Sequence, residues 1–365
     1  MPSLLGLPEE VLSQIAEQSL CLGAPDAPIN SRRTFRIKER VFHEHAERAA
    51  PVIPLLLTCR RLNAIASSLL LSRAVFSVCD TRDLRHLVES MGGSTLSQVR
   101  NFSVMLYSDD DYEHDPRDDE TAQEDIEEAT ELLEQLPSKL HRLCLQMPFH
   151  SYPPFSYNRG TDIRLRQAMD KFAGLEELRL DFFTHYVHID MFTNMTANAY
   201  ATFHEWVEPP APKFPLLRRL HLEGCLTPLL GPKGLATALS ESQLPCLEAL
   251  IFEGILHDSD DEDSLVFEPE ALTTMHPLHE FCWVPYDFDE GIRKTLGNPH
   301  SPPTRRHLDE LKARHGATLR VLRIDFGERE SCMGPWELDI DQGYLDEFKE
   351  AMPNLSEVSL EMGNS

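Results

Sequence analysis

The strongest constraint on the fold is a six-residue phrase, LxxLxL, which returns through most of the chain with other large apolar residues standing in for leucine. It reads LHRLCL (140–145), LEELRL (175–180), LRRLHL (217–222), LEALIF (247–252), LHEFCW (278–283), LRVLRI (319–324) and LSEVSL (355–360), with a weaker first copy in VRNFSV (99–104). Successive copies start 41, 35, 42, 30, 31, 41 and 36 residues apart, so each interval holds one supersecondary unit. The phrase has the period of a short strand: its fourth and sixth residues share one face, and its third and fifth share the other. Leu178 and Leu180 are thus expected in a core, with Glu177 and Arg179 facing out.

A proline or glycine stands just before each of the seven stronger copies (Pro137, Gly174, Pro215, Pro245, Pro277, Gly316, Pro353), where it stops a helix and turns the chain. Helix-period apolar residues precede several copies, as in Ile126/Ala129/Leu133/Leu136 and Tyr344/Leu345/Phe348/Met352. Helix and short strand in alternation predict an α/β chain with one strand and one helix per unit. No single unit buries both its apolar faces, so the units must stack. An ordinary α/β domain with leucine-rich strands is the competing reading, and eight copies with matching punctuation count against it.

The N-terminus obeys a different pattern. In LPEEVLSQI (7–15), Pro8 suits the first turn of a helix and Glu9 and Glu10 suit its positive end. Leu7, Val11 and Ile15 then form a stripe, with Leu12 and Ala16 beside it. So short a helix needs a partner. Residues 51–78, PVIPLLLTCRRLNAIASSLLLSRAVFSV, offer two further short helices through Leu55, Leu56, Leu62, Ile65, Ala66, Leu69 and Leu70.

These stretches carry two resemblances. LHLEGCLTPLLGPKGLATAL, with Cys225 three residues after Leu222, looks like the cysteine-containing class of leucine-rich repeat, and the likeness extends over about residues 95 to 365. Leu7-Pro8-Glu9-Glu10-Val11-Leu12 with Ile15, then Leu57-Thr58-Cys59-Arg60-Arg61-Leu62-Asn63 and Ala66, resembles an F-box in its fungal form. The expected architecture is a helical F-box-like module over 1–80, followed by an irregular leucine-rich-repeat β/α solenoid over 81–365. An insertion at about 19–50 interrupts the module. It holds a basic island, SRRTFRIKERVFHEHAER, expected as a solvated insertion or a helix through Phe35, Val41, Phe42 and Ala46.

The resemblance implies a substrate-recognition subunit of an SCF-type (cullin–RING) ubiquitin ligase, which does no bond chemistry itself. Leu7, Pro8, Val11, Leu12, Ile15, Leu62 and Ile65 would take an Skp-type adaptor. Outward strand positions of the repeats would face a protein substrate, Arg179, Asp181, Arg219, His221, Glu253 and Arg323 among them. The alternative is a repeat scaffold or inhibitor whose N-terminal helices merely cap the stack.

Composition narrows the field further. Sixty acidic residues against 34 basic ones, a formal net charge of −26, argue against a general nucleic-acid binder, which must neutralise phosphate. No apolar run approaches the length of a membrane span, and Glu9 and Glu10 break any secretory signal, so cytoplasm or nucleus is expected. The eight cysteines form no CxxC pair, which speaks against zinc and against a disulfide framework. Acidic stretches at about 108–120 and 257–268 are expected to protrude as solvated loops, with Ser108 and Ser259 in the setting of acid-directed phosphorylation. SDDDYEHD lacks the glycine of a calcium loop, and His185 and His188 of HYVHID lack further ligands, so no metal and no cofactor is expected. No GxSxG, Walker or GxGxxG motif proposes an active site.

Overall fold

Each of the eight hexapeptides forms a strand that begins at its third residue, and those strands lie side by side in chain order. The computed structural model describes residues 7–20, 34–38, 41–44, 59–78, 81–105, 119–147, 159–182, 196–197, 206–207, 211–223, 236–253, 268–284, 303–325, 340 and 342–361. The first part of the chain contains α1 (Glu9–Leu20), β1 (Thr34–Lys38), β2 (Val41–Glu44), α2 (Arg60–Arg73), β3 (Val75–Val78), α3 (Thr81–Met91) and α4 (Gly93–Leu96). Next come β4 (Asn101–Met105), α5 (Asp119–Gln135), β5 (Arg142–Met147), α6 (Arg159–Asp170), β6 (Glu177–Phe182), and the short pair β7 (Thr196–Ala197) and β8 (Trp206–Val207). The remainder is β9 (Arg219–Glu223), β10 (Ala249–Glu253), α7 (Ala271–Thr274), β11 (Glu280–Val284), α8 (Arg305–His315), β12 (Val321–Asp325), α9 (Gln342–Glu350) and β13 (Glu357–Glu361).

The fold is α/β, with β3–β6 and β9–β13 forming nine parallel strands of an open sheet. β1 extends it in parallel beside β3, and β2 closes a hairpin on β1. Among the described strands the order never reverses from β3 to β13, so no switch-point crevice of the kind that holds nucleotides in doubly wound folds lies between those strands. Hydrogen bonds keep the units in register across unequal intervals. The second residue of each phrase donates to the second-residue carbonyl of the phrase before: His141 to Arg100, Glu176 to His141, Arg218 to Glu176, Glu248 to Arg218, His279 to Glu248, Arg320 to His279 and Ser356 to Arg320, at 2.7–2.8 Å.

The fourth and sixth residues of the phrases are buried as their period predicts. From Phe102 and Val104 to Leu322 and Ile324 none is more than 2% exposed. They share one continuous core with Leu132 and Leu133 of α5, Leu165 and Met169 of α6, Leu308 and Leu311 of α8, and Leu345 and Phe348 of α9. The same core takes in Ala16 and Leu20 of α1 and Ala66 and Leu71 of α2, so the N-terminal helices pack onto the first strands of the sheet.

Local chemistry sets the helix ends. In α8 the Thr304 backbone N–H donates to His307 Nδ1 (3.0 Å) in a capping box, while Lys312, Arg314 and His315 occupy the last turn, the negative end of the dipole. In α2 Cys59 is the N-cap, its Sγ accepting from the Leu62 N–H at 3.4 Å. Of the two helices expected over 51–78, the second is α2 from Arg60, followed by β3, and the first, through Leu55 and Leu56, lies outside the described residues. Within the insertion, Phe35, Val41 and Phe42 fall on the β1–β2 hairpin and not on a helix, Phe35 and Ile37 alternating with Arg36 and Lys38 at the period of a strand, while Ala46 lies outside the described residues. The acidic stretches lie outside the described residues up to Asp119, where α5 begins, and from 254 to 267. Among the described residues no helix is long and apolar enough to cross a membrane.

Candidate functional site

The face of the sheet opposite the core carries the third, fifth and seventh residues of each phrase. Register aligns the third residues as Asn101, Arg142, Glu177, Arg219, Ala249, Glu280, Val321 and Glu357. The charged members of this row alternate in sign from Arg142 through Glu177 and Arg219 to Glu280. Arg142 bonds Glu177 (Nε to Oε2, 3.1 Å) and Asn101 Oδ1 (3.2 Å), and Arg219 reaches Glu280 at 2.5 Å. In the next rows Arg179 pairs with Glu223, Arg323 pairs with Glu357, and the His221 Nε2–H donates to Glu253 at 3.0 Å. Each arginine is answered by one carboxylate on another strand.

Burial makes these pairs matter. Glu177, His221 and Glu223 are buried, and the arginines Arg142, Arg179 and Arg219 are mostly so. Burial holds the His221 imidazole below its ordinary range, against the pull of Glu253 and with the help of Arg179. The His221 hydrogen bond holds Glu253 below the usual carboxylate range despite partial burial. Burial, with Glu280 beside it, pushes the Cys282 thiol up to about 12, so that sulfur is a neutral thiol.

The structure therefore divides the six residues that the sequence assigns to a substrate. Arg179, Arg219 and His221 are locked in intramolecular pairs on the inner part of the face. Glu253 is half-buried against His221, and Arg323 is exposed beside Glu357. Asp181 stands on β6 opposite Glu223 in the register. Their partners Glu223, Glu280 and Glu357, with the separate Arg142–Glu177 pair, complete the ladder. Lining up the third letters of the phrases (Asn, Arg, Glu, Arg, Ala, Glu, Val, Glu) would have revealed the alternation.

The second candidate surface is the α1–α2 pair. Leu12 and Leu62 are fully buried and hold the helices together. Leu7, Ile15 and Ile65 are half-buried, while Pro8 and Val11 are exposed, Val11 by 37%. Arg61 Nη1 donates to the Leu7 carbonyl at 3.2 Å, and Arg73 at the end of α2 pairs with Glu17 of α1 at 2.7 Å. The seven predicted adaptor residues thus form a single helix pair with a packed side and an open side.

Among the described residues, one group of donors is close enough to share a cation: His221, Glu223 and Glu253, all within 4.8 Å of one another. The sequence reading passed over it because Glu253 lies on the neighbouring strand. A cation there would have to displace both the proton on His221 Nε2 and the guanidinium on Glu223. His185 and His188 lie outside the described residues. No protein-family model matches the chain, and no curated protein matches it in sequence.

Proposed function

We propose that the chain is a substrate-recognition subunit of an SCF-type ubiquitin ligase, in which α1 and α2 take an Skp-type adaptor and the strand–helix units form a leucine-rich-repeat solenoid that holds a protein substrate. The observation that carries this reading is the division within the helix pair. Leu12 and Leu62 are spent on the fold, and Pro8 and Val11, with the half-buried Leu7, Ile15 and Ile65, remain for a partner. Such a protein works by proximity, raising the effective concentration of a substrate lysine near the charged conjugating enzyme. The cullin–RING scaffold would come through the adaptor.

The test is co-purification with an Skp-type adaptor, using the full chain and the double variant Pro8→Ala/Val11→Ala. The variant is expected to lose the adaptor while its thermal unfolding stays unchanged. Undiminished capture by the variant counts against the assignment. One observation favours the second reading, a scaffold or inhibitor whose helices only cap the stack: Ala16, Leu20, Ala66 and Leu71 belong to the same core as the sheet. On that reading the chain meets no adaptor with either sequence.

A further inference from the structure

Among the described pairs of the strand face, charge is left uncompensated at one place, the ends of β9 and β10. Five glutamates form described pairs on that face, and four of them have an arginine: Glu177 with Arg142, Glu223 with Arg179, Glu280 with Arg219 and Glu357 with Arg323. The fifth, Glu253, has the His221 ring, which burial holds neutral. Register sets Glu253 directly opposite Glu223, and both feel the same guanidinium, that of Arg179. Like charges so placed weaken a strand pair unless a cation stands between them. One arginine for two carboxylates leaves this mostly buried position with a net negative charge.

The donor atoms there have the spacing of a coordination shell. His221 Nε2 is 3.0 Å from Glu253 Oε2 and 3.8 Å from Glu223 Oε2, and the three donors lie within 4.8 Å of one another. A cation held at about 2.0–2.2 Å by one nitrogen and two oxygens sets its ligands about 3–4 Å apart, so small side-chain rotations suffice. All three residues project from one face of two paired strands, which place them more firmly than a loop does. His221 and Glu223 are buried, and Glu253, with its side chain 36% exposed, is the open side. We propose that His221, Glu223 and Glu253 bind a divalent transition-metal ion, Zn²⁺ by their chemistry, and that the ion takes the place of the Arg179 guanidinium on Glu223. One imidazole with two carboxylates suits such an ion and leaves a coordination position for water. Calcium and magnesium take oxygen ligands instead. On binding, the ring proton passes from Nε2 to Nδ1, so His221 stays neutral. The ion clamps β9 to β10 where their carboxylates otherwise repel. The inference goes beyond the proposed function, since the site needs no adaptor.

The experiment titrates the full chain, kept reduced and stripped of metal by a chelator, with Co²⁺ as a spectroscopic probe and then with Zn²⁺. A single equivalent of Co²⁺ is expected to give visible absorption without the thiolate charge-transfer band that cysteine ligands add, and Zn²⁺ should displace it. Glu253→Gln and His221→Gln should each weaken uptake at least ~10-fold. Arg179→Gln should tighten it, because the rival for Glu223 is gone. If His221→Gln fails to fold, thermal unfolding gives the second measure: Zn²⁺ should raise the melting temperature of the natural chain and not that of Glu253→Gln. Absent saturation overturns the inference. So do uptake that neither ligand variant weakens, a thiolate band, displacement of Co²⁺ by Ca²⁺ as readily as by Zn²⁺, and an Arg179→Gln protein that binds no tighter. The Pro8→Ala/Val11→Ala protein should take up metal as the natural chain does, so loss of adaptor binding and loss of metal binding are separable results.

Discussion

Arg219 on β9 and Glu280 on β11 form an ion pair across the strand between them, Nη2 to Oε2 2.5 Å, passing over Ala249 of β10. Two strand spacings amount to about 9.5 Å, a span open to a guanidinium only where the middle residue stops at Cβ. Both side chains are about four-fifths buried, so each depends on the other for charge compensation. Replacing Ala249 by Leu should cost about 2–3 kcal/mol, by crowding a buried position and parting the pair. Urea unfolding checks it in two backgrounds, the natural chain and Arg219→Met/Glu280→Leu. The cost should fall by at least ~0.5 kcal/mol in the second, where no pair remains to break. Equal costs in both would mean that Ala249 matters for packing alone.

Asn101 begins the same row and joins the sheet to the N-terminal helices. Fully buried, it donates through Nδ2 to the carbonyls of Ser72 (3.1 Å) and Ala74 (3.2 Å), and its Oδ1 accepts from Arg142. It thus ties the α2–β3 turn to the charge ladder. Asn101→Ala strips donors from two carbonyls and an acceptor from a guanidinium, and should cost about 1–3 kcal/mol. Amide exchange should quicken first over residues 72–78. Unchanged protection there would leave the turn held by its other contacts, chiefly the Ala74 N–H to Leu70 carbonyl bond at 2.9 Å.

The helix pair makes a prediction about stability that is independent of any partner. Leu12→Ala and Leu62→Ala each empty a fully buried site and should cost about 2–5 kcal/mol. Pro8→Ala and Val11→Ala alter exposed positions and should stay within about 0.5 kcal/mol. Thermal melts of the four variants decide it. A loss at Val11 as large as that at Leu12 would show that the open side serves the fold.

The period of the phrase was enough to locate the strands and their buried residues, because burial on one face of a short strand leaves a mark at every second position. Leu178, Leu180, Leu220 and Leu222 follow it without exception. β3 escaped because its first phrase position is Arg73, which pairs with Glu17 of α1 where the other phrases hold an apolar residue. The charge ladder was half legible. Sequence spacing shows that Arg179 and His221 face outward, but their partners Glu223 and Glu253 depend on which strands are neighbours and in what register. Arg219 and Glu280 lie two strands apart, so only the sheet order reveals them as a pair. The hairpin β1–β2 was hidden by its basic residues, which read as solvated charge until Phe35 and Arg36 are seen beside Phe76 and Ser77.

His315 gives the fold a dependence on pH that can be signed in advance. The ring is fully buried at the end of α8; its Nδ1 accepts from the Leu278 N–H (3.0 Å), and its Nε2–H donates to the Leu272 carbonyl (2.9 Å). Only the neutral ring with its proton on Nε2 satisfies both bonds, and burial, with Arg314 nearby, holds its pKa down to about 4. The unfolded chain, with an ordinary histidine near 6.5, then binds more protons than the folded one between those values, so stability rises with pH through that window and is flat above it. Lowering the pH from about 7.5 to about 5.5 should cost about 1 kcal/mol through this group, a range that stays above the isoelectric point of 4.9. Urea unfolding of the natural chain and of His315→Asn at both values isolates the contribution. The variant should be weaker at the higher pH, having lost the pair of bonds, and should lose less on acidification. An equal loss in both proteins would assign the acid sensitivity to other groups and mean that His315 takes up protons alike in the folded and unfolded chain.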